Sequence, residues 1–318
     1  MKKKLFSIVS LLTLLGLLLA ACGGAQTEPT AVEESATEGV SIKVLASTTF
    51  LADIAQNVAG DRAKVESLLP FGADPHSYQA APTDVAKIAE SNVLILNGVE
   101  YEHFIEPLLE NAGGERLVIE AATGIEPHQM EEHAEGEEGH DHEAGDPHMW
   151  LDPNLVITYV ENIRDGLSEA DPEGAETYKA NADAYIAQLQ ELDAFIKEQV
   201  DSVPAERRLL VTNHEAMGYF AERYGFEVVD TIIPSLSTEA STSAQEIAAA
   251  IEAIKASGAP AIFLGEVENT DLAEQIASET GVKVVDSLYL ETLTDGAPAA
   301  TYIDMMKYNA TQIVEGLK

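Results

Sequence analysis

The chain has 318 residues and a formal net charge of −37, because 55 aspartates and glutamates outnumber 18 lysines and arginines. A surface this acidic repels nucleic acid and attracts cations, so it argues against any nucleic-acid partner. The length allows one large domain or two of ordinary size. Cys22 is the only cysteine, which excludes an internal disulfide and a thiolate metal site.

The N-terminus predicts export and lipid anchoring. Residues 2–4 are lysines, and residues 5–19 form an apolar core that is short for a membrane span. Leu19-Ala20-Ala21-Cys22 has the small residues and cysteine of a bacterial lipobox. We therefore expect a signal peptide at 1–21, lipid on Cys22 and residence at the extracytoplasmic face of the cell membrane. A single-pass anchor or plain secretion is the alternative.

Residues 22–39 are rich in Ala, Thr and Glu and almost free of bulky apolar side chains. Such a composition cannot bury a core, so it predicts a flexible tether between membrane and folded body. The folded body then begins near residue 40.

From residue 40 onward, apolar β-rich runs alternate with helical patterns, which is typical of an α/β protein with parallel sheets. The first half contains strands predicted at 42–46, 65–69, 93–96 and 117–119. The second half contains strands predicted at 209–212, 228–232, 261–264 and 282–286. Helices are predicted at 50–59, 83–90 and 244–256, with Pro82 and Ser243 as start signals.

Residues 126–146 interrupt this pattern. They hold His128, His133, His140 and His142 among acidic residues, with no lysine, arginine or branched aliphatic side chain. Nothing in the segment can pack, so it is predicted to be a surface loop. Two interpretations remain open: a low-affinity collector that concentrates metal near a tight site, or a solvated acidic insertion.

A long helix is predicted between the two halves. Its apolar positions recur at helical spacing, and prolines at 172 and 204 flank it: Tyr178, Ala182, Tyr185, Leu189, Leu192 and Ile196. A helix of about thirty residues extends about 45 Å at about 1.5 Å per residue. It is long enough to join two lobes, although an ordinary core helix in one domain would show the same stripe.

The tripeptide Asp-Pro-His occurs twice, ending at His76 and at His148. Imidazole is the commonest protein ligand of zinc and its neighbours, and a preceding proline stiffens the backbone that presents it. Two such presentations suggest two parts of one metal site, with chance repetition as the alternative. His214 and Asp286 also lie beside predicted strand ends, where parallel α/β sheets form ligand sites. Three imidazoles and one carboxylate suit a borderline metal.

The motifs together resemble those of a known family. They are Asp-Pro-His-Ser-Tyr at 74–78, Asp-Pro-His-Met-Trp-Leu-Asp-Pro at 146–153 and Asn-His-Glu-Ala-Met-Gly-Tyr-Phe at 213–220. This order and spacing, behind a lipobox, is similar to the zinc/manganese-binding solute receptors of bacterial ABC uptake systems, the ZnuA/TroA-like family. The resemblance implies two α/β lobes, 40–171 and 205–318, each with a mainly parallel sheet, joined by one rigid helix at 172–204.

The resemblance also implies which residues bind metal. His76 and His148 correspond to ligands of the first lobe and His214 to a ligand of the second lobe. Asp286 matches the family's C-terminal acidic ligand less tightly, and Glu266 competes for that role. Manganese members often have glutamate where this chain has His214, and zinc members carry a histidine-rich loop. Zn²⁺ is therefore expected, with Mn²⁺ or iron as the alternative.

The expected function is capture of zinc by a monomeric receptor, anchored in membrane lipid through Cys22, and delivery to a membrane ABC permease. A surface adhesin that uses the same fold is one rival. A zinc hydrolase is another, but the pair His214-Glu215 lacks the second histidine of a zincin motif, because residue 218 is glycine. The chain is accordingly not expected to be an enzyme.

Overall fold

The computed structural model describes residues 42–129, 145–268 and 270–318. The predicted signal peptide, the tether and Cys22 lie outside the described residues, as do His133, His140 and His142 of the acidic segment. Within the described parts of the chain, no helix combines the length and the apolar character that a membrane span requires.

The first lobe is built on a four-stranded parallel sheet. Its strands are β1 (Val44–Ala46), β2 (Val65–Ser67), β3 (Val93–Leu96) and β4 (Leu117–Glu120), in the spatial order β2-β1-β3-β4. Its helices are α1 (Thr49–Ala59), α2 (Pro82–Glu90) and α3 (Ile105–Ala112). Every residue of the central strand β3 is buried, as expected of a parallel strand that is covered on both faces.

Two helices follow the first lobe. Helix α4 covers Leu155–Ala170, and after a short 3₁₀ turn helix α5 covers Ala175–Asp201, 27 residues that extend about 40 Å. All six positions of the predicted apolar stripe are buried in α5. The stripe prediction is therefore confirmed, with a helix slightly shorter than expected.

Helix α5 contacts both lobes through polar side chains as well as through its stripe. Asn181 donates to the carbonyl of Val58 in α1 at 3.0 Å. Toward its other end, Asp193 accepts two hydrogen bonds from Arg223 at 3.0 and 2.9 Å. One rigid element is thus anchored to each lobe, as a linking helix requires.

The second lobe repeats the topology of the first. Its strands are β5 (Leu209–Thr212), β6 (Glu227–Thr231), β7 (Ala261–Gly265) and β8 (Lys283–Leu288), in the order β6-β5-β7-β8 and all parallel. Its helices are α6 (Gly218–Tyr224), α7 (Ala244–Ser257), α8 (Thr270–Thr280) and α9 (Tyr302–Gly316). Both lobes belong to one compact unit, residues 40–318. The predicted two-lobe α/β fold with a long linking helix is confirmed.

Candidate metal centre

Four buried side chains converge between the lobes. His76, His148, His214 and Glu291 each offer one ligand atom, and these atoms lie within 4.8 Å of one another. The Nε2 atoms of the three histidines are 3.8, 3.5 and 3.4 Å from Oε1 of Glu291. The arrangement is a compact set of three nitrogens and one oxygen.

Each of the four residues follows a strand. His76 lies in the loop after β2, His148 in the loop after β4, His214 two residues beyond β5, and Glu291 three residues beyond β8. Since all these strands are parallel within their sheets, their carboxyl ends meet at one edge of each sheet. The first lobe supplies two histidines, and the second supplies the third histidine and the carboxylate.

The two Asp-Pro-His tripeptides fold in the same way. Oδ1 of Asp74 accepts the backbone N–H of His76 at 2.9 Å, and Oδ1 of Asp146 accepts that of His148 at 2.9 Å. An aspartate whose side chain accepts the backbone N–H of the residue two positions later forms a local turn. The proline between them fixes its own φ angle within this turn. The repeat is therefore a device that presents a histidine from an irregular loop.

Carboxylates orient two of the imidazole rings. Oδ1 of Asp146 lies 2.8 Å from Nδ1 of His148, and Oε1 of Glu268 lies 2.6 Å from Nδ1 of His214. An ionised carboxylate only accepts, so in the neutral form of each imidazole Nδ1 carries the proton and Nε2 keeps a lone pair that faces the cluster. The other oxygen of Glu268 accepts the N–H of Gly265.

Glu291 is held by a tyrosine of the opposite lobe. Its Oε2 accepts the hydroxyl of Tyr101 at 2.6 Å, while its Oε1 faces the histidines. The loop that carries Glu291 is fixed by Glu266, whose two oxygens accept the N–H groups of Leu290, Glu291 and Thr292 at 2.8, 3.3 and 2.8 Å. Burial raises the pKa of Glu266 to about 8, against the effect of these hydrogen bonds.

The atoms that face the centre lack hydrogen-bond partners among the described residues. They are Nε2 of His76, His148 and His214 and Oε1 of Glu291, and each of these four atoms is buried. Buried polar atoms are almost always paired, so four orphan atoms directed at one point require an explanation. A divalent cation at that point would accept three nitrogen lone pairs and one carboxylate oxygen, and the residues present therefore fit a metal.

In the metal-free protein, the histidines and carboxylates of the site shift one another's pKa values. Burial favours the neutral form of each group, but the interactions between the histidines and the carboxylates outweigh it. The three histidines that surround its carboxylate hold the pKa of Glu291 well below its usual range. Glu268 and Glu291 raise the pKa of His214 to about 10, and Asp146 and Glu291 raise that of His148. A metal ion must therefore displace protons in order to bind.

We expect metal binding at pH 7 to release at least one proton, since protonated His214 must lose a proton before its Nε2 can bind a cation. For each proton released, apparent affinity should fall about tenfold per pH unit as pH drops below the pKa of that group. Calorimetric titrations in two buffers of different protonation enthalpy measure the number of protons released per metal ion bound. Heats that are independent of the buffer would contradict this prediction.

The structure brings together the three predicted histidines but not the predicted acid. Asp286 is exposed and lies inside β8, which continues to Leu288, so it is not at the end of the strand where ligands collect. Asp286 therefore lies outside the cluster of potential ligand atoms, and Glu291 stands where the predicted acid was expected. Glu266, the competing residue, supports the loop of Glu291 instead.

The only described histidine of the acidic segment lies outside the cluster. Nε2 of His128 is 2.7 Å from Oε2 of Glu222, and its ring stacks on Tyr219 with a centroid distance of 4.0 Å. Glu291 was the residue that sequence reasoning missed. An acid directly after the apolar pair Tyr289-Leu290, just beyond the last strand, was the available signal.

The fold and site define a class of protein: a two-lobed, helix-linked receptor with a buried metal-type site between its lobes. The chain belongs to the ZnuA family, described as zinc-uptake complex component A, periplasmic, whose model matches residues 44–316. The resemblance proposed from the motifs is thereby confirmed.

Relatives and solved structures agree on this family. The manganese-binding lipoprotein MntA of Halalkalibacterium halodurans is 35% identical over 318 residues, covering 100% of this chain and 99% of the relative. The iron-binding protein YfeA of Yersinia pestis is 34% identical over 275 residues, or 86% of each chain.

Among structures, the periplasmic zinc-binding protein TroA of Treponema pallidum matches with a TM-score of 0.77 and 27% identity, covering 87% of this chain and 99% of that one. The manganese-bound periplasmic metal-binding protein of Candidatus Liberibacter asiaticus matches with a TM-score of 0.76 and 28% identity, covering 87% and 100%.

Membership settles the broad role. The family consists of metal-binding receptors of ABC transporters, which work with permease components in the membrane and are not enzymes. Several relatives, MntA among them, are named as lipoproteins, so the predicted extracytoplasmic, membrane-anchored location is confirmed. Which metal this chain carries is a separate question.

Proposed function

We propose that this chain captures zinc outside the cell membrane and delivers it to the permease of an ABC importer. The observation that carries the proposal is the set of four orphan atoms, three imidazole nitrogens and one carboxylate oxygen, buried at one point. The receptor acts as a monomer, and lipid on Cys22 keeps it at the membrane.

The donor set favours zinc. Imidazole suits zinc, whereas manganese prefers oxygen ligands and an octahedral shell. Oε2 of Glu291 accepts the hydroxyl of Tyr101, so this carboxylate offers one oxygen to a metal rather than two. Four donors in total match the tetrahedral preference of zinc. Manganese is the second candidate, because the relative MntA is named for it.

The closed donor set also suits capture better than catalysis. A catalytic zinc keeps an open position for water, whereas this set would surround a bound ion with four protein atoms. His148 is fully enclosed, and His214 and Glu291 are each 1% exposed. Release therefore requires the lobes or the site loops to move, and the permease is the component that would impose this movement.

We further propose that the acidic segment 126–146 collects zinc weakly. Its described ends are held together, because the N–H of Asp146 donates to the carbonyl of His128 at 2.9 Å. The segment thus begins and ends beside Asp146, which orients the ligand His148. A solvated insertion with incidental metal affinity remains the alternative interpretation.

Uptake assays test these proposals. In cells that lack the receptor, the wild-type gene should restore accumulation of radioactive zinc at scarce zinc, because tight capture limits uptake there. A gene without residues 130–144 should restore slower uptake, since the tight site remains while the collector is lost. This deletion keeps His128 and Asp146, whose mutual hydrogen bond spans the cut.

Manganese accumulation in the same strains is the control. Rescue of manganese uptake but not of zinc uptake would overturn the zinc proposal and favour the second candidate. Equal zinc uptake with and without residues 130–144, at limiting zinc, would remove the collector role and leave the receptor role standing.

A further inference from the structure

Both aspartates of the Asp-Pro-His turns accept a hydrogen bond from the opposite lobe. Oδ2 of Asp74 accepts the hydroxyl of Thr238 at 2.7 Å. The backbone carbonyl of Asp146 accepts the hydroxyl of Tyr219 at 2.7 Å. Thr238 lies between β6 and α7, and Tyr219 lies on α6, so both donors belong to the second lobe. Each turn thus accepts a hydrogen bond from a hydroxyl group of the opposite lobe, one through a side-chain carboxylate and the other through a backbone carbonyl.

Tyr219 is well fixed for this contact. Only 4% of it is exposed. Its hydroxyl oxygen also accepts the N–H of His128 at 3.0 Å, and its ring stacks on that of His128. Gly218 allows the close approach, since a Cβ there would lie 3.3 Å from Oδ2 of Asp146. The tyrosine therefore contacts both Asp146, the first residue of the turn, and His128.

Each aspartate makes its contact with the second lobe while it also positions a histidine. Asp74 caps the backbone of His76 while it binds Thr238. Asp146 caps the backbone of His148 and orients its ring while its carbonyl binds Tyr219. A movement that separates the lobes must break the cross-lobe bonds, and it would pull on the residues that set both histidines.

We propose that Thr238 and Tyr219 are latches: positioning residues that hold the lobes closed over the metal and set the rate at which it leaves. The inference rests on the metal-capture function proposed above. Neither residue contributes an atom to the ligand cluster. Both act through an aspartate, so their loss changes how long the closed site lasts, while the ligand set is kept.

The test is the rate of zinc dissociation, followed by stopped flow with excess chelator on the full mature chain. Tyr219→Phe and Thr238→Val each delete one hydroxyl, and each should speed dissociation about three- to tenfold, the equivalent of one hydrogen bond. The double variant should show about the product of the two effects, because the latches act on different histidines. Association rates should stay close to wild type.

Matched controls come from α9. Tyr308→Phe deletes a tyrosine hydroxyl on that helix, and Thr311→Val deletes a hydroxyl that donates to the carbonyl of Lys307 at 2.8 Å. Both controls should dissociate at the wild-type rate. A further check is the melting temperature of the metal-free variants, since a fold defect would lower it in proportion to the kinetic change.

Three outcomes overturn the latch proposal: dissociation rates of both variants within twofold of wild type, slower association with unchanged dissociation, or fold destabilisation that accounts for the faster release. The proposed function fails separately, if wild-type protein shows no tight zinc binding at all. If the wild type binds zinc tightly and the variants release it at the wild-type rate, the receptor role stands and only the latch proposal fails.

Discussion

Replacing Glu291 with glutamine is expected to lower zinc affinity by more than about a hundredfold, since even partners beyond the direct ligands typically contribute about 10- to 100-fold. Glutamine keeps the volume and the ability to bond with Tyr101. It removes the one negative charge that faces three imidazoles at 3.4 to 3.8 Å from their Nε2 atoms. The metal would then be bound by three neutral nitrogens and a weak amide oxygen.

Asp286→Asn is the matched control, because it makes the same kind of change in the same segment on an exposed side chain. It should bind zinc like wild type. Competition against a chelator of known affinity measures all three proteins. Loss of binding in Asp286→Asn, with retention in Glu291→Gln, would show that the ligand set read from the structure is mistaken.

Glu291→Gln has a second consequence, which appears in the metal-free protein. The pKa of Glu291 is held well below its usual value, so its ionised form contributes stability above the unfolded-state pKa and loses it as pH falls through the folded pKa. Glu291→Gln removes this contribution near neutral pH. Metal titrations of the variant should therefore accompany a melting measurement that verifies folding.

Much of the fold followed from local patterns. The strand at 93–96 was predicted residue for residue, because four consecutive apolar side chains between polar ones are characteristic of a strand buried on both faces. The linking helix followed from a stripe whose six members are all buried. Such features depend on neighbours in sequence, so sequence alone reveals them.

The site was predicted only in part, for a physical reason. His76 and His148 stand in turns that their own tripeptides encode, and His214 directly follows a strong strand. Glu291 has no such local signature. Its place depends on three backbone N–H groups that bond to Glu266, a residue 25 positions earlier in the chain. Contacts of that kind are set by tertiary packing and leave no periodic trace.

The error at Asp286 has the same origin. The predicted strand ended at that residue, which would place its carboxylate at the ligand-binding edge of the sheet. The observed strand continues to Leu288, and this shifts the edge to the residues that follow. A two-residue difference in the strand boundary was enough to favour Asp286 over Glu291, and boundaries are the least certain feature of any pattern.

The division of the ligands between the lobes predicts that lobe movement would disturb the site. Each lobe contributes two ligands, and Glu291 is held by Tyr101 of the opposite lobe at 2.6 Å. Separation of the lobes would therefore remove half of the ligands and the partner of the carboxylate together.

Replacing His214 with glutamate, together with Glu268→Gln, is expected to shift metal preference from zinc toward manganese by at least about tenfold, because a second carboxylate ligand makes the donor set harder and richer in oxygen. The wild-type set of three imidazoles should prefer zinc. Direct competition between the two metals, with metal analysis of the purified proteins, measures the ratio in each. A wild type that prefers manganese would contradict the zinc assignment itself.

The neighbour of His214 decides how the variant should be built. Glu268 lies 2.6 Å from Nδ1 of His214, so a glutamate at 214 would place two carboxylates side by side and bind a proton instead of a metal. The informative variant is thus His214→Glu with Glu268→Gln, in which an amide can donate to the new carboxylate. Glu268→Gln alone is the control: it should keep the zinc preference while losing about 10- to 100-fold in affinity. If the double variant kept the wild-type ratio of zinc to manganese, the preference would have to come from the size of the site rather than from the third imidazole.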